Sequence, residues 1–425
     1  MKPFRIRSQK GDVEFDLPPG IEGVLVEPRG LPEPIRDPEA EAEEEVKGCL
    51  GWLQNRLEGA ERVAVCVTDV TRDCHEAEFL KVLTRTLLRL KFGPDRVSIV
   101  VAQGLHRNMT DEEKAARFGA NITSIYRVHD HDAYQGVVSL GTVAGGFSIQ
   151  VNKVLAKCDA VLSTGLVELH QYAGYSGGTK TVGIGCAGAA TIAYTHSPKL
   201  ILDPRVLVGK VEDNPFRRCV DEVASRAKNI FALNEIRGPD GKTYGVAAGD
   251  PAEVLRRLVA FARTRFSARC GRTFDAAVVG VPFPKGANLY QASRAATYVA
   301  LSGSGVLNPG APIIIHAPCG EGAGLGTGEL AFYRLLASAS SAADLLEKSK
   351  TPEWRGGEQR ALIIAHALAR HPIIVAGTEN TALVEECKMT PAADVGAAIR
   401  IAQKKYGAIR SVVVVPDPFT MLPTV

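Results

Sequence analysis

The chain has 425 residues, of which 45% are hydrophobic and 23% charged, with 42 Gly and 24 Pro. These are globular values, so a wholly disordered, collagenous or coiled-coil chain is excluded, and at roughly 100–200 residues per domain the length predicts two or three domains. The net charge of +3, from 50 basic and 47 acidic residues, argues against a dedicated nucleic-acid or membrane-surface protein.

The N-terminal stretch MKPFRIRSQKGDVEFDL lacks an apolar h-region, so no secretory signal is expected. No run approaches 18 apolar residues, so no transmembrane helix is expected either. Nine cysteines (49, 66, 74, 158, 186, 219, 270, 319 and 387) are scattered without a C-x-x-C pair. That usage predicts a reduced, cytoplasmic chain with mostly core cysteines and no cysteine-based zinc site.

In chain order, residues 1–35 alternate polar and apolar around Pro and Gly, predicting short strands and turns. Residues 37–59 read as one helix. ERVAVCVTDVTR (61–72) is a β-branched run stopping at Thr68-Asp69, a buried parallel strand and then a polar loop. Helical spacing follows over 75–90. VSIVVAQGLHR (97–107) repeats the strand-to-loop pattern, and Thr110 and Glu113 stand at capping-box spacing. CDAVLSTGLVELH (158–170) is a third such segment, and 252–268 is helical.

Beyond 268–275 the style recurs. Strands are predicted at 275–283, 311–322, 371–377 and 411–418, and helices at 289–302, 328–348, 357–369 and 391–406. Alternation of this kind predicts an α/β fold: two Rossmann-like domains with largely parallel sheets and a cleft between them. The division falls at 1–270, the cofactor-binding part, and 271–425, the part that closes over substrate.

The densest chemistry lies in STGLVELHQYAGYSGGTKTVGIGCAGAATIAYTHS (163–197). Lys180 sits behind Ser176-Gly177-Gly178, with His170 and His196 on either side. Glycines let backbone N–H groups approach a ligand such as a phosphate, although an ordinary turn before a helix has the same composition and the P-loop spacing is absent. A lysine in a small, apolar stretch is a candidate nucleophile once desolvated. Two strand-end clusters complete the set. In Asp69-Val70-Thr71-Arg72 the Arg can fork onto an anion, and in Gly104-Leu105-His106-Arg107 the His suits proton transfer. Gly322-Ala-Gly324-Leu-Gly326-Thr-Gly328 is off-spacing for a dinucleotide fingerprint.

Taken together these segments resemble the nickel-dependent lactate racemase family. The order D-x-T-R (69–72), G-x-H-R (104–107), His170, G-Y-S-G-G-x-K (174–180), T-x-x-x-x-H (191–196) and Y-Q-x-x-R (290–294) carries the resemblance, over about residues 15 to 415. It implies a nickel-pincer nucleotide, a pyridinium mononucleotide whose ring carbon and two sulfurs hold nickel. Lys180 would tether it, His196 would complete the square-planar site, and Asp69, Thr71, Ser176, Gly177 and Gly178 would surround it. His106 and His170 match the acid/base pair, and Arg72, Tyr290, Gln291, Arg294 and Trp354 match substrate positions. The implied reaction inverts C2 of a 2-hydroxyacid by reversible hydride transfer, with the host's cofactor-biosynthesis enzymes as partners.

The chain departs from the family pattern at several points. Arg294 stands where Lys is common, a swap that is not neutral because Arg forks and Lys does not. Asp73-Cys74-His75 brings an acid and an imidazole beside the pocket, and Gly286 replaces an acid. These point to lactate or to a larger, more polar 2-hydroxyacid. Two other functions stay open at this stage, an NAD-dependent 2-hydroxyacid dehydrogenase and a non-catalytic nickel-cofactor carrier.

Overall fold

A computed structural model describes residues 3–143, 146–350 and 358–425. Two six-stranded sheets organise them. In the first, the order across the sheet is Thr243–Gly249, Asn229–Arg237, Ala160–Val167, Val63–Thr68, Val97–Ala102 and Arg127–Asp130. All neighbours are parallel except the pair Asn229–Arg237 and Thr243–Gly249. The second sheet is wholly parallel, in the order Thr390–Ala392, Ile373–Ala376, Ile313–His316, Ala276–Val279, Ser411–Val415 and Glu22–Leu25.

The predicted strands form because they are apolar on both faces. Every residue of Val63–Thr68 and of Ala160–Val167 is buried, as a parallel sheet covered by helices on both sides requires. One face packs Phe79, Leu83 and Phe231 around Val65. The other packs Val182, Cys186 and Val223 around Cys66. A further core runs without interruption from Val167, Ala232 and Val254 to Val279, Ile315 and Phe332, so the two sheets share one apolar mass. Short strands Ser267–Arg269 and Leu422–Thr424 pair alongside it.

Several elements differ from expectation. The single helix over 37–59 is two, Pro38–Gly48 and Leu50–Arg56, broken at Cys49. The antiparallel strand Thr243–Gly249 carries Gly245 and Gly249 and was hidden by them. The N-terminal strand Glu22–Leu25 crosses to the edge of the second sheet, where Val24 pairs with Val413. Thr110 and Glu113 do close a capping box at the start of Asp111–Phe118. The loop 322–328 ends in the helix Thr327–Ser338, whose first turn is capped by its own Glu329: Gly326 N–H donates to Glu329 Oε2 at 2.8 Å. That carboxylate occupies the place a dinucleotide phosphate takes at such a helix start, which removes the support for the dehydrogenase reading.

Strand order decides where a ligand goes. From Val63–Thr68 the first sheet grows one way to Val97–Ala102, then back the other way to Ala160–Val167. The crevice between Val63–Thr68 and Ala160–Val167, beyond their carboxyl ends, is therefore a topological switch point. Asp69 and Glu168 are the residues that leave it.

Candidate active site

Asp69 follows its strand buried, and its carboxylate is held by Thr71 and His106. Oδ1 accepts from Thr71 N–H at 3.1 Å and from Thr71 Oγ1 at 2.6 Å. Oδ2 takes Nδ1–H of His106 at 2.6 Å. Burial pushes the Asp69 carboxyl up, but the His106 and Thr71 hydrogen bonds outweigh it and hold the group below its ordinary range. With Nδ1 donating, His106 keeps a lone pair on Nε2, the arrangement of an oriented base. Gly104 makes the turn: its φ is +58° and its N–H donates to Gly185 O at 2.9 Å, tying the His106 loop to the segment after Lys180.

Arg72 forms an ion pair with Glu168 across the switch point. Its loop is stapled by Arg117, whose Nε donates to Thr68 O at 3.0 Å and whose Nη2 donates to Arg72 O at 2.6 Å. The expectation for Asp73-Cys74-His75 needs correction. His75 donates its backbone N–H to Glu235 at 2.8 Å and places Nδ1 2.8 Å from the same carboxylate, and Asp73 pairs with Arg237. Glu235 and Asn234 are neighbours on one strand, so their side chains leave opposite faces. Asn234 meets Gly178, so the His75 pair lies on the far face of the sheet and anchors the loop without lining the pocket.

The glycine turn does its work inside the fold. Ser176 Oγ donates to Leu166 O at 2.6 Å and accepts from Glu168 N–H at 3.0 Å. Gly178 has φ +59° and donates its N–H to Asn234 Oδ1 at 2.6 Å. A Cβ there would stand 2.7 Å from Arg217 Nη2 and 2.9 Å from Pro251 O. The turn aims Lys180 at the switch point. Deep in the cleft, the Lys180 ammonium is disfavoured by burial first and then by Arg72, and its pKa falls to about 7.

His170 and His196 share an aromatic wall. The His196 ring lies 5.4 Å from Tyr172 and 5.1 Å from Phe216, both edge-on, and His170 lies 5.8 Å from Tyr172. His196 donates Nδ1–H to Ile192 O at 2.9 Å. Burial, with Lys180 and Arg360 adding to it, lowers its pKa to about 4. It is thus a neutral imidazole with a free Nε2, the form that binds a metal. His170 is the opposite tautomer. Its Nδ1 accepts from Tyr172 N–H at 3.2 Å and Ala173 N–H at 3.1 Å, leaving the proton on Nε2. Burial, then Lys180 and Arg72, push it well below the usual histidine range.

From the second sheet, the helix Leu289–Ala300 brings Tyr290, Gln291 and Arg294 to the same place. Tyr298 of that helix donates its hydroxyl to Leu169 O at 3.1 Å, which joins the two sides next to His170. Arg360 donates to Gln171 at 2.6 Å and stands over Tyr290 at 5.2 Å. Trp354 lies outside the described residues. Sequence reading missed Glu168, Arg117, Arg360 and Lys285. Glu168 and Lys285 follow buried strands and were findable by the strand-end rule that found Asp69. Arg117 and Arg360 sit in helices with no local signal.

Among the described residues no group of three or more His, Cys, Asp or Glu is placed to hold a metal. The donor set fits a group that carries its own donors. One neutral imidazole offers a free nitrogen, a lysine has its pKa lowered to about 7, and the Tyr172 hydroxyl is buried without a partner.

Comparisons with known proteins agree over almost the whole length. Residues 9–209 match the model of the lactate racemase N-terminal domain and residues 276–422 that of the lactate racemase C-terminal domain. The lactate racemase of Thermoanaerobacterium thermosaccharolyticum is 27% identical, covering 99% of both chains, and that of Lactiplantibacillus plantarum is 28% identical, covering 86% of this chain and 85% of its own. The structure of the lactate racemase apoprotein from T. thermosaccharolyticum matches with a TM-score of 0.85 at 26% identity over 99% of each chain. A Thermotoga maritima protein shares the fold, with a TM-score of 0.66 at 19% identity, covering 92% of this chain and 99% of its own. Motifs, fold and relatives concur: this chain belongs to the lactate racemase family.

Proposed function

We propose that the chain is an isomerase that inverts C2 of a 2-hydroxyacid with a nickel-pincer nucleotide. Lys180 holds the cofactor, His196 gives nickel its protein ligand, and residues 1–270 bind it while 271–425 close over substrate. The single observation that carries this reading is the convergence, at one switch point, of a lysine whose pKa is lowered to about 7, a metal-ready imidazole and an oriented base. When bound, the cofactor supplies a centre that takes the C2 hydride and gives it back.

The chain's own residues handle the rest. Arg72 exchanges Glu168 for the substrate carboxylate, a bidentate contact that fixes C1 and leaves C2 free to reorient. His106 takes the hydroxyl proton on Nε2, and Asp69 stabilises the imidazolium that results. On the opposite side His170 presents Nε2–H to the substrate oxygen. To act there as the base, its ring takes the proton on Nδ1 and releases the Tyr172 and Ala173 N–H groups. Tyr290 and Gln291 complete the pocket wall. Nine cysteines without a disulfide suit a cytoplasmic enzyme, and no described helix is long and apolar enough to cross a membrane. Its working partners are the substrate and the host enzymes that make the cofactor.

The test uses protein from a cofactor-competent host: intact mass, nickel content, and circular dichroism of enantiopure 2-hydroxyacids in heavy water. The expected result is nickel with adduct mass, loss of the adduct in Lys180→Ala, loss of nickel in His196→Ala, and racemisation that leaves C2 mostly unlabelled. Full nickel and activity in both variants, or rapid deuterium uptake at C2, refutes the assignment.

A further inference from the structure

The second sheet has a switch point of its own. Its order reverses between Ala276–Val279 and Ser411–Val415, and ligands of open α/β sheets seat beyond strand ends at such crevices. Lys285 follows the first of these strands and Phe419 the second. Lys285 Nζ lies 4.8 Å from the centroid of the Phe419 ring, and the Arg294 guanidinium lies 5.5 Å from the same centroid. Two cations are thus gathered on one ring, facing the first sheet's switch point across the cleft.

Neither cation has a carboxylate at ion-pair distance among the described residues. Arg294 reaches only neutral oxygens, Gln291 Oε1 at 3.2 Å and the Tyr298 hydroxyl at 3.4 Å, and its Nε is buried without a partner. Asp417, past the end of the neighbouring strand, acts on Lys285 only from beyond ion-pair distance; its Oδ1 accepts Phe419 N–H at 3.0 Å, and burial raises its pKa. Glu168 faces both cations but is paired to Arg72. Two like charges held together away from bulk water repel, and an anion between them converts that repulsion to attraction. In the function proposed above, Arg72, beside Lys180, takes the reactive carboxylate of the 2-hydroxyacid.

We infer that Lys285 and Arg294 form a seat for a second carboxylate, and that the substrate is a 2-hydroxy dicarboxylic acid. This rests on the 2-hydroxyacid reading above and names its substrate class. Phe419 positions the two cations, and Gly286, directly after Lys285, packs against Gln9, whose Cβ would stand 2.8 Å from a Cβ there.

The experiment measures kcat/KM of the nickel-loaded enzyme for lactate, 2-hydroxysuccinate and gluconate, before and after Lys285→Met, with nickel per chain recorded for each protein. A salt link to a charged group is worth roughly 10–100-fold, so the ratio of 2-hydroxysuccinate to lactate should stand well above one and fall by about that factor in the variant. Succinate, which has no hydroxyl, should inhibit the unsubstituted enzyme far better than propionate, a comparison that needs no variant. Preference for lactate or gluconate, an unchanged ratio, or equal inhibition by the two simple acids overturns the inference and leaves the racemase reading intact. Loss of nickel from Lys285→Met overturns it too, because the cations then serve the cofactor's phosphate. If no 2-hydroxyacid is interconverted at all, the reading beneath the inference fails first.

Discussion

Lys180 offers the sharpest test of the electrostatics, because the prediction needs no cofactor. Its pKa falls from 10.5 to about 7, through burial first and Arg72 second, against the opposing pull of Glu168. At pH 7 about half of the Lys180 side chains are then neutral, against roughly 3 in 10,000 for an ordinary lysine, a ratio of about 10³. A less basic amine is also a weaker nucleophile; with a Brønsted slope near 0.4–0.5, as for thiols, that ratio shrinks to about 40. A brief pulse of limiting acetic anhydride on cofactor-free protein, followed by peptide mass spectrometry, should therefore label Lys180 about 40-fold faster than exposed Lys404 or Lys405. Its labelling should also titrate with a midpoint near 7. The same shift has a sign in stability. Between pH 7 and 10.5 the unfolded chain binds the Lys180 proton and the folded chain does not, so stability rises with pH across that window, by at most about 1.4 kcal/mol per pH unit. Lys180→Met should flatten that slope in urea titrations. Labelling of Lys180 no faster than Lys404, with a midpoint above 9, would refute the reasoning, because it would mean that bulk water reaches the amine.

Two further outcomes follow from the hydrogen bonds. Asp69→Asn keeps the shape of the contact to His106 Nδ1 but removes its charge, so kcat should fall about 10²-fold or more with little change in KM, measured as the initial rate of racemisation; a change confined to KM would assign Asp69 to binding. His75→Gln tests the loop anchor, since the Glu235 hydrogen bond raises the His75 pKa above 6.5. The pair's stabilisation is complete below 6.5 and is lost as pH rises through the folded pKa. The variant should thus lose about 1–3 kcal/mol in urea unfolding at pH 6 and less at pH 8, and an equal loss at both values contradicts a charged pair.

The sequence by itself determined the parallel strands, since VAVCVT and AVLSTGLV put apolar residues on both faces, as a strand covered by helices on both sides requires. It also determined which residues leave the strand ends, hence Asp69, Arg72, His106 and His170, and with Lys180 and His196 their order carried the family resemblance. The helix break at Cys49 and the antiparallel strand Thr243–Gly249 escaped it, because both depend on what packs against them. Protonation and partnership were decided only by tertiary structure. No local pattern says that His196 gives up Nδ1 to Ile192 O while His170 keeps its proton on Nε2, or that Ser176 and Gly178 spend their hydrogen bonds on Leu166, Glu168 and Asn234. Nor does any pattern say that His75, three residues from Arg72, faces the far side of the sheet. Lys285 and Arg294 meet on Phe419 although Arg294 and Phe419 stand 125 positions apart in the chain. Charge acts through space, and only the fold brings those charges within reach of one another.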